Sequence, residues 1–348
     1  MNRMKPNPIL DFGIDTSAIR YIGRELQRPE CILAERDGTL WVADARGGVV
    51  RLTANGSQEI ITQRRSAHFE VANNEAKRYL EGTLPNGLAF ARNGDFLISN
   101  FGTDCLEIMS RDGTSRVVVD RIDGHAIGKV NFVLRDSRDR IWITISTRRK
   151  NWMHALRGDL ADGYLARYEN GEFHIVADGF RFTNEIRFDA GERFLYVVET
   201  TGGCITRLRI DEKGEVAERE IFGPSSLGKG AWPDGIAFDS YGNLWGTLVY
   251  SDKLFVLTPQ GDLRILLDEG DPGRVEALEQ AFRRNEVTED VLFATGRGLA
   301  PWMASVTFGG CDLRTVYIGS LKGTRIPYFR APVPGLPMVH WSEQDNSR

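Results

Sequence analysis

The sequence predicts an all-β chain, a six-bladed β-propeller with a short helical insertion. Three observations predict it. A strand–turn–strand unit recurs six times along the 348 residues. Most units continue into a third strand, at a spacing of roughly 45 to 70 residues that suits propeller blades better than solenoid repeats. The 37 glycines suit a chain with many tight turns.

The six units are PECILAERDGTLWVAD from Pro29, LPNGLAFARNGDFLIS from Leu84, VNFVLRDSRDRIWITI from Val130, TNEIRFDAGERFLYVVE from Thr183, PDGIAFDSYGNLWGTL from Pro233 and ASVTFGGCDLRTVYIG from Ala304. Each alternates apolar and polar residues as a half-buried strand does. Turn signals such as Asp37-Gly38, Asn93-Gly94 and Tyr241-Gly242-Asn243 precede the second strand. That strand carries an anchor residue: Trp41, Leu97, Trp142, Tyr196, Trp245 and Tyr317 in turn. Third strands are visible in GVVRLTANG, LEIMSRDG, YLARYENG, ITRLRIDEKG and LFVLTPQG.

These units are expected to form one domain over residues 1–348. The segment 17–26 has strand character and is expected to close the last blade, since an open ring would leave an unpaired strand edge. Two segments interrupt the rhythm, 148–163 and 269–289, and within the second the run Arg274 to Arg284 reads as helix. Each is read as an addition to the propeller rim, either covering the channel mouth or decorating the surface. The Pro-rich tail after Arg330 is expected to pack as irregular chain.

Composition narrows the function classes. The net charge of −4 gives no basic field for nucleic acid. No apolar run is long enough to span a bilayer, and no apolar stretch follows Arg3 and Lys5 as a secretory signal would require. Cys31, Cys105, Cys204 and Cys311 are widely spaced and form no CxxC, as expected of reduced thiols in a cytoplasmic protein.

Counting back eleven residues from the anchor gives Glu30, Asn86, Asn131 and Asp234. With allowance for longer turns the fourth and sixth units give Asn184 and Ser305. One position in every blade therefore carries an oxygen-bearing side chain. In a propeller such positions ring one mouth of the central channel. Carboxylates and amides converging there call for a counter-ion, because like charges repel in a confined site. An all-oxygen ligand set favours one divalent cation, Ca²⁺ before Mg²⁺ or Mn²⁺, with Zn²⁺ the remaining alternative. The competing reading is that Asn and Asp cap turns or tie blade to blade here; it applies most readily to Asn86.

The same motifs resemble the gluconolactonase, senescence marker protein and luciferin-regenerating enzyme family of six-bladed propellers. PDGIAFDSYGNLW is similar to its fifth-blade motif, TNEIRFDAGERFLYVVET to its fourth, VNFVLRDSRDRIW to its third, and ASVTFGGCDLRTVYIGS to its last. The resemblance implies Glu30, Asn184 and Asp234 as metal ligands, Asp234 as catalytic base, and Asn131 as a substrate contact. Four departures stand out. The family's Glu-Gly-Pro is Pro29-Glu30-Cys31 here, its third-blade Asn-Asp is Asn131-Phe132, and the Arg two residues before that Asn is Lys129. The fourth-blade Asn-Gly is Asn184-Glu185.

The function the resemblance implies is hydrolysis of a small lactone, sugar-acid or carboxylated and aromatic, by a metal-dependent, gluconolactonase-like hydrolase. The cation would activate the carbonyl and water would attack. Asp234, Asn131 and Lys129 are the catalytic candidates. Asn131, Lys129, Asn86 and Arg148 are the substrate-binding candidates, Arg148 because its loop mixes cations and aromatics. The alternatives are phosphotriester hydrolysis or enolate chemistry of the aldol or hydratase type on the same scaffold, and a non-enzymatic calcium-binding propeller. The run Val198-Glu199-Thr200-Thr201 also resembles strictosidine-synthase-like propellers. The expected partner is a small-molecule substrate, without nucleic acid or membrane, on a monomer or small homo-oligomer.

Overall fold

In a computed structural model, residues 6–64, 82–169 and 171–343 are described. Arg3, Lys5 and the turn residue Asn170 lie outside them. Six four-stranded antiparallel sheets follow one another as blades. The fifth shows the pattern: Pro233–Phe238, Leu244–Leu248, Lys253–Leu257 and Leu263–Asp268, from the inside outwards. The other inner strands are Ile32–Ala34, Pro85–Phe90, Val130–Arg135, Thr183–Phe188 and Met303–Gly309. All are buried along their length, whereas outer strands such as Gln58–Thr62 and Val216–Phe222 are largely exposed. The last blade is completed by the N-terminal strand Arg20–Ile22, which pairs antiparallel with Ile326–Arg330.

The repeat has a physical cause in the anchors. Trp41, Leu97, Trp142, Tyr196, Trp245 and Tyr317 stand opposite Leu33, Ala89, Leu134, Arg187, Ala237 and Thr307, one equivalent pair per blade. Each of the three indoles donates its N–H to the carboxylate of the preceding turn: Trp41 to Glu35 at 2.6 Å, Trp142 to Asp136 and Trp245 to Asp239 at 2.9 Å. Buried aromatic bulk and a satisfied indole N–H come from one short motif, so the motif recurs. Asp239 Oδ1 also accepts the backbone N–H groups of Tyr241 and Asn243, which shapes the turn.

The inner strands share a second device. In blades two to six the strand pairing slips near its start, at Asn86-Gly87, Asn131, Asn184-Glu185, Asp234-Gly235 and Ala304. Such a bulge turns a side chain out of the sheet plane and towards the axis. The pairing corrects one expectation. The sixth-blade equivalent of Asp234 is Ala304, because both precede by three residues the partner of their anchor; Ser305 lies one residue further on. Ser305 instead donates its hydroxyl to the backbone oxygen of Glu30 and ties the last blade to the first.

Both interruptions carry local helix. Segment 148–163 contains a 3₁₀ turn, Trp152–Ala155, whose first N–H groups are capped by Asn151. Segment 269–289 contains the helix Pro272–Arg283, capped by Asp271, and leads into a short helix, Glu289–Phe293. The tail is irregular up to a last helical turn, Val339–Glu343. There Trp341 donates to the backbone oxygen of Ala34 at 2.9 Å and Glu343 pairs with Arg135. This turn closes the end of the channel at which the inner strands finish. No described helix is long and apolar enough to cross a membrane.

Candidate functional site

At the opposite end, where the inner strands begin, is a cavity of about 40 Å³. Its floor is Arg28, Glu30, Asn131, Asn184, Thr200 and Asp234. The bulges place the contributions of blades three to five: Asn131, Asn184 and Asp234 each leave a slipped strand. A tight approach fixes two of the bulges, since a Cβ on Gly235 would lie 2.4 Å from the backbone oxygen of Ala304, and one on Gly87 2.6 Å from the Phe132 ring. Blade four has Glu185 where these glycines stand.

The floor is densely charged for a buried surface. Glu30 and Asp234 are each 3% exposed and Glu185 beneath them 1%. Burial, reinforced by the Glu30 and Glu185 carboxyls, holds Asp234 well above the usual carboxylate range. Burial likewise pushes Glu30 up to about 8, against the pull of Arg28, and Glu185 up to about 7, against that of Arg187. Arg28 donates to Glu30 Oε2 at 3.1 Å and to Asn86 Oδ1 at 2.6 Å. Arg187 pairs with Glu185 at 3.0 Å.

Among the described residues, Asp234 Oδ1 and Asn184 Oδ1 are buried without a hydrogen-bond partner. Two orphaned acceptors beside a second carboxylate suit a hard cation, which takes oxygen ligands, and Asn184 is held ready by its Nδ2 donating to Thr200 Oγ1 at 3.1 Å. The residues therefore fit a divalent cation. No group of three His, Cys, Asp or Glu side chains is gathered for a metal among the described residues; the candidate set is two carboxylates and an amide.

The sequence-derived candidates divide accordingly. Glu30, Asn131, Asn184 and Asp234 meet in the cavity. Asn86 does not line it; its Nδ2 donates to Asn131 O and Oδ1, at 3.0 and 3.3 Å, and its Oδ1 accepts from Arg28. Lys129 is drawn aside into an ion pair with Asp104 at 2.7 Å, and donates to the backbone oxygen of Phe101. Arg148 is exposed and stacks on Tyr164, its guanidinium carbon 4.2 Å from the ring centre, so it reaches outwards instead of over the site. Its neighbour Trp152 is the residue that the insertion contributes to the cavity. Arg28 and Glu185 were not among the candidates. The only signals for them were an Arg two residues before Glu30 and a Glu in place of the fourth-blade Gly.

The cavity walls are apolar. Phe101, Trp152, Phe182, Tyr250 and Trp302 surround the floor, with Val249 and Leu321 between them. They belong to a buried cluster that also takes in Leu278 from the helical insertion and Leu292 from the short helix that follows it, so both interruptions pack over this mouth. A groove of about 380 Å³ beside Trp232, Phe282 and Arg283 shares Thr200 with the cavity. The larger cavity of about 140 Å³ at the far end is lined by Phe188, Phe308, Met338 and His340 and lacks the acidic ring.

A family model described as the SMP-30/gluconolactonase/LRE-like region matches residues 28–268. The chain belongs to this family. A curated relative, a 6-deoxy-6-sulfogluconolactonase of Pseudomonas putida, is 26% identical over 151 residues, 43% of this chain. The match spans 42% of that relative's length. Three solved structures share the SMP-30/gluconolactonase fold at low identity. A gluconolactonase from Xanthomonas campestris has a TM-score of 0.62 at 17% identity, covering 90% of this chain and 89% of its own. A luciferin-regenerating enzyme reaches 0.65 at 13%, covering 92% and 98%. Regucalcin from Agrobacterium tumefaciens, described as a calcium-binding protein, reaches 0.64 at 15%, covering 91% and 96%.

Proposed function

We propose that the chain is a divalent-cation-dependent hydrolase that opens a small lactone. The observation that carries the reading is the pair of orphaned oxygens, Asn184 Oδ1 and Asp234 Oδ1, in one buried cavity with Glu30. Family membership and the sulfogluconolactonase relative support lactone as the substrate class. Glu30, Asn184 and Asp234 would hold the cation, Ca²⁺ first among the candidates. When bound, it would polarise the acyl carbonyl and offset the repulsion between the two carboxyls.

The chain's own residues do the rest. Asp234, ionised, takes a proton from the attacking water as its oxygen bonds to the acyl carbon. The acyl–oxygen bond then breaks, and the same proton is returned to the departing alkoxide, which leaves a hydroxy acid. Asn131 orients the substrate at the floor. Arg28 holds Glu30 in place and keeps positive potential beside the developing negative charge. Lys129 contributes through the Asp104 ion pair, as a support of the Phe101 wall, and not as a substrate contact.

The test is a panel of lactones, esters and phosphotriesters assayed after chelation and after reloading with Ca²⁺, Mn²⁺ or Zn²⁺. Lactone hydrolysis that disappears on chelation and returns with the cation is expected. Full activity in chelator, or turnover confined to phosphotriesters, overturns the reading.

A further inference from the structure

The floor and the walls of the cavity ask for different chemistry. All its charge lies at the floor, while the walls are Phe101, Trp152, Phe182, Tyr250 and Trp302. Hydroxyls of a sugar lactone facing these walls would leave water and find few partners, and an unpaired buried hydroxyl is costly. An apolar ring would meet aromatic faces instead. We infer that the substrate is a lactone bearing an aryl group or similarly apolar body, with its carbonyl at the Glu30–Asn184–Asp234 floor and that body against the aromatic walls, and that Trp152 sets this preference. The inference rests on the lactonase reading above for the reaction, but the binding of the apolar body rests on the walls alone.

Trp152 is singled out by how it is held. A cavity of about 40 Å³ has room for an ion or water but not for a lactone with a ring attached, so a wall residue must yield. Trp302 is fixed, its indole N–H donating to Thr295 Oγ1 at 2.9 Å and its backbone N–H to Asp252 Oδ1 at 2.7 Å. The indole N–H of Trp152 is buried and has no hydrogen-bond partner among the described residues. Its 3₁₀ turn follows the exposed run Arg148 to Asn151. Moving Trp152 therefore breaks no side-chain hydrogen bond, and its unpaired N–H is free to donate to an ester oxygen.

The experiment compares two six-membered lactones on the cation-loaded protein, δ-phenyl-δ-valerolactone and D-glucono-1,5-lactone, each corrected for spontaneous hydrolysis. The phenyl compound should be favoured in kcat/KM by about tenfold or more. Trp152→Ala should reduce that ratio at least about tenfold, and Trp152→Phe should restore part of it. A ratio favouring the gluconolactone overturns the inference and leaves the lactonase reading intact. Binding of the non-hydrolysable lactam 6-phenylpiperidin-2-one, followed by calorimetry, is the independent arm. Saturable binding weakened by Trp152→Ala supports the inference even if neither lactone is hydrolysed, a result that would sink the lactonase reading alone. No binding of the lactam overturns the inference whatever the turnover.

Discussion

Arg28 combines two tasks at the ring: it compensates Glu30 and it fixes Asn86. Replacing it by Met leaves Glu30, Asp234 and Glu185 with Arg187 as the remaining nearby cation. Loss of one partner from a buried pair typically costs about 3–5 kcal/mol. The Arg28→Met protein should therefore melt well below the parent in chelator, and Ca²⁺ should raise its melting temperature by more than it raises the parent's. An equal rise in both would show that the guanidinium and the cation do not share Glu30. Asp234→Asn keeps the shape and removes the charge. It should weaken Ca²⁺ binding in calorimetry and lower kcat by at least about a hundredfold; unchanged affinity and rate would remove Asp234 from both roles. These residues also mark what the sequence reveals at this scale. Glu30, Asn131 and Asp234 were legible because the anchor tryptophans set one count of eleven residues, and Asn184 needed only one residue more from Tyr196. In the sixth blade the longer turn misled the count to Ser305 instead of Ala304. Lys129, Asn86 and Arg148 were drawn elsewhere by Asp104, Arg28 and Tyr164, pairings between segments far apart in the chain that no spacing rule reveals.

At the scale of elements, the inner and second strands were plain in the sequence and the outer ones were not. Inner strands are buried on both faces, so their apolar content is forced, while exposed outer strands such as Val216–Phe222 carry VAEREIF with little constraint. The helix Pro272–Arg283 was legible from its apolar spacing. The final turn, Val339–Glu343, was not, because five residues carry no period. Its His340 gives it a pH signature. Burial holds the imidazole at about 4, below its usual 6.5, while Nε2 sits 2.9 Å from the backbone oxygen of Ala34. Arg135, Arg111 and Glu343 are the charged groups facing it. The folded pKa is the depressed one, so the unfolded chain takes up the proton first as pH falls. Stability from this group is complete above about 6.5, is lost between about 6.5 and 4, and changes no further below. The shift corresponds to about 3 kcal/mol at most. Denaturant titrations should show His340→Phe losing correspondingly less stability than the parent between pH 7 and pH 4. Parallel losses in the two proteins would mean that His340 takes up its proton equally readily in the folded and unfolded chains.

For the whole molecule, the ring is joined by non-covalent pairing alone, Arg20–Ile22 against Ile326–Arg330. We propose that the chain unfolds as one unit because each blade packs on both neighbours and the first strand locks the last. Calorimetry should give a single transition whose enthalpy agrees with its van't Hoff value. Removing residues 1–25 takes away that strand and the buried Ile9 and Ile19, and leaves Ile326–Arg330 as an open edge. The truncated protein should melt at a lower temperature and self-associate in sedimentation. An unchanged melting point and a monodisperse boundary would show that closure does not depend on this strand.

The slipped register at the head of the inner strands has one more consequence. A bulge is set by backbone pairing, so it aims whatever side chain it carries at the axis, and the propeller offers more inward-facing seats than a cation needs. Ala304 occupies such a seat without a donor atom, and Asn86 occupies one with its donors committed elsewhere. The coordination number of the proposed cation would thus be open to change one residue at a time without refolding a blade. Under the proposed reading, single substitutions at these seats would move the ligand set around the ring while the architecture beneath it stays the same.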